Sequence, residues 1–222
     1  MRVLILNTFF LFTAAFVGFT VFEMLASSPQ ILRFPLALIV TYFLFVILFL
    51  LIDALCRFLL RGAPDILVPG TWHRFIWGVG YLARDNYFRL LQAWTLISGP
   101  PLLAMRLLGL KYGKRLSFID SKMFAEPSRV SIGENVLIGS KATIGEQFHP
   151  FRGKVDRRRI TIGNNCLLGG RVIVYNGVQI GDNVVVGVLS VVPAGSVLES
   201  DWLYSGVPAR KIHEMNQKGI GS

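Results

Sequence analysis

The sequence predicts a mainly β C-terminal domain, built as a coil of short strands, preceded by α-helices that cross a membrane or lie on it. Three observations predict this division: two long uncharged stretches near the N-terminus, a middle segment that mixes apolar residues with arginine, and a C-terminal half with a six-residue period. The 222-residue chain is 53% hydrophobic, which is more apolar than an average soluble protein.

Two uncharged stretches, Val3–Phe22 and Phe34–Ile52, contain 20 and 19 residues. A helix of about 20 apolar residues crosses the roughly 30 Å hydrocarbon core of a bilayer, so residues 1–62 are predicted to form a transmembrane helical hairpin. A cleaved signal peptide is the alternative for the first stretch. We expect an uncleaved anchor, because the run exceeds the roughly 7 to 15 residues of a signal core and a second span follows it.

Basic residues flank this hairpin unevenly. Arg2 precedes the first stretch and Arg57, Arg61 and Arg74 follow the second, whereas the connecting segment has only Arg33. Positively charged residues favour the cytoplasmic side of a membrane. Both termini and the C-terminal domain are therefore expected on the cytoplasmic side.

Residues 63–112 are predicted to form amphipathic helices that lie in the membrane interface. A break rich in glycine and proline, GAPDILVPGTW, separates them from the second span. Tryptophan, tyrosine and arginine recur after this break, as they do at headgroup depth. A soluble helical hairpin packed on the rest of the protein is the alternative.

Composition argues against several kinds of site. The formal net charge of +10 favours anionic lipid or phosphate groups as partners, and nucleic acid is not expected because no basic motif is interleaved with aromatic residues. The two cysteines, Cys56 and Cys166, give neither metal spacing nor a disulfide framework, which fits a reducing compartment. The three histidines do not cluster with cysteine, so no metal site is expected.

The C-terminal half repeats every six residues. Each unit opens with an aliphatic residue, and a small or apolar residue returns four positions later. The units are IGENVL, IGSKAT and IGEQFH from Ile132, and IGNNCL, LGGRVI, VYNGVQ, IGDNVV, VGVLSV and VPAGSV from Ile162. Neither a helix of period 3.6 nor a strand of period 2 gives this pattern. A strand and a turn, repeated three times, make a triangular coil of about 18 residues with the leading aliphatics stacked inside.

The repeat is interrupted but keeps its phase. Ile132 and Ile162 are thirty residues apart, a multiple of six. The strip His149–Arg159, which we call the excursion, is therefore expected to leave a continuous coil and rejoin it. The same phase upstream extends the coil back to about Lys114.

These motifs resemble those of the hexapeptide-repeat acyltransferases, in particular the galactoside and maltose acetyltransferase branch. The resemblance rests on VSIGENVLIGSKATIGEQFHP, on ITIGNNCLLGGRVIVYNGVQIGDNVVVGVLSVVPAGSV and on SGVPARKI, about half of the chain. It implies a left-handed parallel β-helix over residues 113–222, a homotrimer with active sites between subunits, and acetyl-CoA as the acyl donor. More loosely, the N-terminal half resembles membrane-attached relatives such as the repeat domains at the ends of some amino-acid-polymer synthetases.

The resemblance makes His149, the histidine of the HP dipeptide, the general base, and it gives the backbone N–H of Gly170 the role of binding the oxyanion. An imidazole suits the first role, because acyl transfer from a thioester needs a base with a pKa near 7. No serine or cysteine nucleophile with a neighbouring base is evident, which favours direct transfer over a covalent intermediate. An ordinary loop histidine is the alternative for His149.

The same resemblance assigns the coenzyme A slot to Val188, Pro193 and Ala194, and it places Arg210 of GVPARKI on the coenzyme tail. Members of the branch often have Thr-Lys where this chain has Pro193 and Ala194. The difference removes one charged contact to the coenzyme.

Four further residues are candidates for substrate binding. Arg157, Arg158 and Arg159 would bind the phosphates of coenzyme A or an acidic acceptor through bidentate contacts, although a run of charges is also typical of a solvated loop. Asp120 lies near the position of the family's acceptor asparagine, where it would orient the base, bind a hydroxyl or simply form a turn. Cys166 has an inward phase and is predicted to be a packed small residue.

The sequence thus predicts a membrane-anchored O-acetyltransferase that moves an acetyl group from acetyl-CoA to a hydroxyl of a sugar or a lipid-linked glycan. Transfer to an amine or a lipid headgroup stays open, as does a noncatalytic trimeric scaffold in a membrane complex. A γ-type carbonic anhydrase on the same coil would need three histidine ligands. His73 and His213 lie outside the coil, which argues against that enzyme.

Overall fold

The structure of the protein is a computed structural model that describes residues 13, 16–23, 25, 30–94, 102–118, 124–146 and 153–215. The first predicted span, Val3–Phe22, lies largely outside these residues. Its described residues, 13 and 16–22, are helical. A Cβ atom added at Gly18 would lie 3.8 Å from the side chain of Thr41, so this helix runs close to the next one.

After the helical residues 16–23, the described chain has three further helices before the repeats: α1, Gln30–Leu59; α2, Trp72–Trp94; and α3, Leu102–Leu107. Within α1, the 26-residue stretch Phe34–Leu59 is long and apolar enough to cross a membrane. At 1.5 Å per residue it measures about 39 Å. The helix ends shortly before Gly62, as expected from the Gly/Pro-rich break.

Helix α2 packs along α1 in the opposite direction. Gly80 lies against Cys56, where an added Cβ atom would be 2.9 Å from the cysteine Cβ, and one turn later Arg84 reaches back to Asp53. The large side chains of α2 divide into a buried set, Ile76, Trp77, Tyr87 and Phe88, and an exposed set, Trp72, Phe75 and Tyr81. Much of α2 therefore contributes to the protein interior, and few of its described side chains face outward.

The strands are short, from two to five residues. They are β1, Ile66–Leu67; β2, Lys111–Tyr112; β3, Leu116–Phe118; β4, Val130–Ile132; β5, Val136–Ile138; β6, Thr143–Glu146; β7, Val155–Asp156; β8, Ile160–Ile162; β9, Leu167–Leu168; β10, Ile173–Tyr175; β11, Gln179–Ile180; β12, Val185–Val186; β13, Val191–Val192; β14, Val197–Leu198; β15, Trp202–Ser205; and β16, Arg210–Glu214. A single 3-10 turn, Pro127–Arg129, leads into β4.

Fourteen of these strands build a three-sided coil. The first sheet has the order β2-β4-β8-β11-β14, the second β3-β5-β9-β12-β15-β16 and the third β6-β10-β13. Pairing is parallel except for β16. Strands in the later coils are 18 residues apart, as in Thr161 opposite Gln179 and Ile173 opposite Val191, whereas in the first coil the offset is 20, as in Leu116 opposite Val136. Between Ser131 and Thr161 the offset is 30 residues, so twelve residues leave the coil. The predicted coil is confirmed, and this offset agrees with the predicted excursion, of which residues 153–159 are described. The predicted upstream phase is wrong by two residues, because Phe118 pairs with Ile138 and not with Val136. The left-handed turn stays a prediction.

The interior of the coil follows the six-residue period. All nine leading aliphatic residues are buried, namely Ile132, Ile138, Ile144, Ile162, Leu168, Val174, Ile180, Val186 and Val192. Burial of an aliphatic side chain contributes about 1.5 to 3 kcal/mol. This ladder is therefore the main source of stability in the domain.

Three corners join the sheets of each coil. The asparagine corner, between the first and second sheets, has Asn135, Asn165, Asn183 and Asp201 at φ from 54° to 66°. The Arg171 corner, between the second and third sheets, has Lys141, Arg171 and Leu189 at φ from 56° to 58°. The glycine corner, between the third and first sheets, has Gly145, Gly177 and Gly195 at φ from 75° to 80°.

Side-chain amides connect the coils along the asparagine corner. Asn135 Nδ2 donates to Asn165 Oδ1 at 2.9 Å, Asn165 Nδ2 to Asn183 Oδ1 at 3.1 Å, and Asn183 Nδ2 to Asp201 Oδ1 at 2.8 Å. Asparagine tolerates the left-handed backbone conformation better than most residues. The asparagine that ends each GEN, GNN and GDN tripeptide therefore has two roles: it adopts the positive φ of the corner, and its side chain hydrogen-bonds to the next coil.

Replacing Asn165 by alanine should lower the free energy of unfolding by about 2 kcal/mol, because two side-chain hydrogen bonds are lost and alanine is disfavoured at positive φ. Asn165→Gly should cost less, since glycine relieves the backbone but not the lost hydrogen bonds. Denaturant unfolding in detergent measures both. Gln179→Ala, at an exposed strand position, is the control, and a loss equal to that of Asn165→Ala would contradict the ladder's role.

Candidate active site

The predicted general base His149 and the candidate Asp120 both lie outside the described residues. The described chain leaves the coil at Glu146, the last residue of β6, and resumes at Gly153. What the structure describes is the returning arm of the excursion, residues 153–159, and the corners of the coil on which this arm lies.

The returning arm is held by the segment between α1 and α2. Strand β7 pairs antiparallel with β1, with Leu67 opposite Val155, and the N–H of Arg157 donates to the carbonyl oxygen of Asp65 at 2.6 Å. Val155 is fully buried in a cluster with the ends of α1 and α2, formed by Cys56, Leu60, Leu67, Ile76 and Trp77. The glycine and proline content of GAPDILVPGTW predicts a break and no strand, and the short apolar run ILV within it is the one signal of β1.

Arg157, one of the three arginines predicted to bind substrate, is engaged inside the protein. Its Nη2 atom lies 2.7 Å from Oε1 of Glu126, and its Nε atom donates to the same carboxylate. Trp77 Nε1 donates to Oε2 of Glu126 at 3.2 Å. Arg157 is 3% exposed and Glu126 is 6% exposed. Nothing in the sequence marked Glu126 beyond its place just before the first repeat unit.

The Glu126 carboxylate is charged despite its burial. Desolvation alone would raise the pKa of Glu126, but the hydrogen bond from Arg157, the positive charges of Arg84 and Arg157, and the hydrogen bond from Trp77 together outweigh it. The pKa of Glu126 therefore lies below its ordinary value of 4.5. At neutral pH this is a buried ion pair.

A second buried ion pair lies close to the first. Arg84 Nη1 is 3.0 Å from Oδ1 of Asp53, and both residues are less than 5% exposed. Asp53 Oδ2 is also 2.8 Å from Arg57 Nε, in a geometry too bent to count as a hydrogen bond. Because the charge of Arg84 also acts on Glu126, we call Asp53, Arg84, Glu126 and Arg157 the buried charge chain. It connects α1 and α2 with the coil and the returning arm.

Arg158 lies across the glycine corner. Its Nε and Nη2 atoms donate to both carboxylate oxygens of Asp156, at 3.1 and 2.7 Å. A Cβ atom added at Gly177 would lie 3.0 Å from Arg158 Nε, and one added at Gly195 would lie 2.9 Å from its Nη1. Ala194 precedes Gly195 and is exposed. The structure thus brings Arg158 next to Ala194, which belongs to the predicted coenzyme A slot.

The other predicted donor-binding residues border the third sheet. Gly170 and Val188 stand at the Arg171 corner, and Pro193 and Ala194 stand at the glycine corner, so the strands of the third sheet run between them. Arg210 begins β16 and is exposed; just before it, the N–H of Ala209 donates to the carbonyl oxygen of Val191 in the third sheet, at 2.7 Å.

The amide of Gly170 lies against the preceding coil. A Cβ atom added at Gly139 would lie 2.5 Å from the Gly170 nitrogen, so the coils approach here only because position 139 is a glycine. Within the described part of the chain, the Gly170 N–H donates to no backbone carbonyl. The backbone bonds between the coils therefore do not use this N–H.

Two further sequence predictions concern cysteine and metal. Cys166 is buried, and its thiol lies 3.1 Å from the carbonyl oxygen of Gly181. Burial raises the pKa of the Cys166 thiol, so the residue is a packed, un-ionised side chain rather than a nucleophile. Across the described ranges, histidine, cysteine and carboxylate side chains form no group of three that could hold a metal ion.

Comparison with known sequences identifies the repeats. A family model described as the hexapeptide repeat of succinyl-transferase matches residues 129–145 and 159–188. Galactoside O-acetyltransferase of Escherichia coli (strain K12) is 38% identical over 99 residues, which are 40% of this chain and 46% of that protein. A putative lipopolysaccharide biosynthesis O-acetyl transferase of the same strain is 28% identical over 182 residues, 74% of this chain and 91% of that protein.

A delta-poly-L-ornithine synthetase of Acinetobacter baumannii (strain AB307-0294) is 27% identical over 169 residues, 72% of this chain and 12% of that protein. The chain therefore spans about half the length of the galactoside O-acetyltransferase and a small part of the synthetase. Among solved structures, a galactoside acetyltransferase in complex with coenzyme A shares the fold with a TM-score of 0.52 and 24% identity, over 72% of this chain and 90% of that one.

A three-sided coil of parallel strands, built from six-residue units, defines a hexapeptide-repeat domain. The C-terminal half of this chain carries the hexapeptide repeat and is similar to hexapeptide-repeat acetyltransferases. The resemblance predicted from the sequence is confirmed.

Glu126→Gln should lower the free energy of unfolding by about 3 to 5 kcal/mol at neutral pH, because it leaves the Arg157 guanidinium buried without a counter-charge. Denaturant unfolding in detergent, followed by tryptophan fluorescence, measures the change. Glu134→Gln is the matched control, since Glu134 is exposed. Equal stability of the two variants would contradict the role of the ion pair.

The same variant should show a defined pH dependence. A carboxylate whose folded-state pKa is depressed stabilises the protein above its unfolded-state pKa, and this contribution is lost as the pH falls through the folded-state value. The difference in stability between wild type and Glu126→Gln should therefore stay constant from about pH 8 to about pH 5 and shrink in more acidic solution. A difference that grows on acidification would contradict the lowered pKa.

Proposed function

We propose that this protein is a membrane-anchored acetyltransferase that moves an acetyl group from acetyl-CoA to a hydroxyl of a sugar or a lipid-linked glycan. The observation that carries the proposal is the hexapeptide coil with its single excursion at the HP dipeptide, in a domain whose relatives include two named O-acetyltransferases. The solved structure that shares the fold holds coenzyme A, which supports a coenzyme A thioester as the donor.

The proposed reaction is direct acyl transfer with His149 as the base. The imidazole takes the proton of the acceptor hydroxyl as its oxygen attacks the thioester carbonyl carbon, and the N–H of Gly170 binds the oxygen that becomes negative. The tetrahedral intermediate then breaks its C–S bond, and the imidazolium returns the proton to the departing thiolate. The products are the acetyl ester and free coenzyme A.

We propose that acetyl-CoA lies along the third sheet, between the Arg171 corner and the glycine corner. Val188, Pro193 and Ala194 would line the pantetheine, and Arg210 would contact the tail. Their arrangement at the two edges of one sheet supports this placement. At the glycine corner, Arg158 adds a guanidinium that Asp156 holds in a defined orientation.

The proposed membrane anchor comprises residues 1–62, with residues 63–112 between it and the coil of residues 113–222, and both termini in the cytoplasm. The uncharged stretch Phe34–Ile52 and the apolar character of the exposed α1 side chains support a membrane span. An anchored enzyme meets acceptors at the bilayer surface. The similarity to a putative lipopolysaccharide biosynthesis O-acetyl transferase supports a glycan acceptor.

We further propose that the protein is a homotrimer through the outer face of the second sheet. Aliphatic side chains occupy adjacent outward positions there, Leu137, Leu167, Val185 and Leu203, and Leu167 is 41% exposed in the single chain. The matching column of the first sheet is more polar, with Ser131, Thr161 and Gln179. An exposed apolar column of this kind is typical of a protein interface.

Leu167→Lys should dissociate the trimer, because it places a charge in the centre of this apolar column. Light scattering on the purified protein in detergent measures the mass of the assembly. Thr161→Lys, at the corresponding exposed position of the first sheet, is the control and should leave the mass unchanged. An unchanged mass for Leu167→Lys would exclude this face as the interface.

His149→Ala should lower the rate of acetyl transfer by about 10² or more while the protein still binds coenzyme A, because a general base acts on the reaction and not on donor binding. The rate is followed as release of the coenzyme A thiol from acetyl-CoA in proteoliposomes supplied with extracted glycolipids. His213→Ala, an exposed position on β16, is the control.

Two outcomes would count against the proposed function. Unchanged turnover in His149→Ala would remove the base assignment. Absence of any thermal stabilisation by millimolar coenzyme A would favour the noncatalytic scaffold, since a bound donor must stabilise the folded protein.

A further inference from the structure

One edge of the molecule is lined by arginine. This edge runs along the glycine corner and continues toward the start of the coil. We call it the arginine edge, and its members are Arg57, Arg129, Arg158 and Arg159. Of these four, the sequence pattern identifies only Arg158 and Arg159 as candidates for substrate binding, because Arg57 and Arg129 are distant from them in the chain.

The register of the coil places two of these arginines side by side. Val130 pairs with Ile160 in the first sheet, so Arg129 and Arg159, each one residue earlier, are neighbours in adjacent coils. Their proximity also appears in the pKa of Arg129, which is lowered first by desolvation and further by the charges of Arg157 and Arg159. Two guanidinium groups therefore lie side by side here, and Arg129, whose side chain is 15% exposed, is also paired with Asp65 at 3.0 Å.

The edge continues in both directions. Toward the later coils, Arg158 lies over Gly177 and Gly195. Toward α1, the side chain of Arg57 lies next to Gly109. The Nη2 atom of Arg57 donates to the carbonyl oxygen of Leu107 at 2.8 Å, which fixes it there. With strands about 4.8 Å apart, the four steps from Gly109 to Gly195 span about 19 Å.

Positive charge exceeds negative charge along this edge and in the charge chain beneath it. Six arginines, at positions 57, 84, 129, 157, 158 and 159, meet four carboxylates, at positions 53, 65, 126 and 156, which leaves a net charge of +2.

Two guanidinium groups keep unused donors. Arg159 is exposed, and no acidic side chain of the described residues forms an ion pair with it. In addition, the buried Nη1 atom of Arg157 has no hydrogen-bond partner within the described part of the chain. A site with surplus charge and unused guanidinium donors fits an anion.

We propose that the arginine edge binds the phosphate or diphosphate group of a membrane-embedded acceptor. A guanidinium group can donate two parallel hydrogen bonds to the oxygens of one phosphate group. The net charge of +2 would balance the negative charge of such a group. The edge begins at the end of α1, the helix suited to cross the membrane, and it ends beside Ala194 of the predicted donor slot. A phosphate carried at the bilayer surface would thus be held between the membrane and the reacting groups.

The inference rests on the proposed function only where it names an acceptor; phosphate binding itself is measured without turnover. Arg159→Gln in the full chain removes one donor fork, Arg159→Lys keeps the charge without the fork, and Lys114→Gln removes an exposed charge at the asparagine corner. The probes are inorganic pyrophosphate and coenzyme A, by titration calorimetry in detergent, and phosphatidylcholine nanodiscs with or without phosphatidic acid, by thermal unfolding.

Arg159→Gln should weaken pyrophosphate binding about tenfold or more, since hydrogen bonds to charged groups contribute about 1.5 to 3 kcal/mol. It should also abolish the stabilisation by phosphatidic acid and leave the affinity for coenzyme A unchanged. Arg159→Lys should recover part of the pyrophosphate affinity, and Lys114→Gln should match wild type.

Equal pyrophosphate affinity in wild type and Arg159→Gln, or an equal loss in Lys114→Gln, would overturn the site. If Arg159→Gln lost affinity for coenzyme A but kept the stabilisation by phosphatidic acid, the assignment to an acceptor would be overturned. The arginine edge would then bind the donor, coenzyme A. Neither result depends on His149→Ala, so failure of the proposed reaction and failure of this site are distinguishable.

Discussion

The buried ion pair between Arg157 and Glu126 is the contact at which the parts of this protein meet. Glu126 belongs to the segment that leads into the repeats, Arg157 to the returning arm of the excursion, and Trp77, which donates to the same carboxylate, to α2. Two buried charges are tolerated only when they are paired at close range and hydrogen-bonded to each other. The arm, the coil and the helix must therefore adopt one arrangement together.

This constraint makes the N-terminal helices part of the domain rather than a separable tether. Strand β1, which pairs with the returning arm, is formed by the link between α1 and α2, and Val155 of the arm is buried against both helices. The Asp53–Arg84 pair continues the connection into α1. If α1 crosses the bilayer as proposed, the glycine corner and the groups on it have a fixed position relative to the membrane surface.

The coil itself is regular, and the residues that depart from its six-residue period lie at the glycine corner. The asparagine corner repeats the same residue type and the same hydrogen bonds over successive coils, as a structural element does. The glycine corner instead receives the excursion, the guanidinium of Arg158 and the arginine edge. A repeat fold offers a rigid frame, and chemistry is added where one turn departs from the pattern.

The order of residues alone predicts the coil, its interior and the place where the coil is interrupted, because six-residue periodicity is a local property of the chain. Every leading aliphatic residue is buried as the period predicts, and Cys166 packs inside. Three consecutive arginines have different surroundings that the sequence pattern does not distinguish. Arg157 is buried on Glu126, Arg158 lies on the glycine corner, and Arg159 is exposed beside Arg129. These differences, like the pairing of β1 with β7, depend on contacts between residues far apart in the chain, which periodicity does not record.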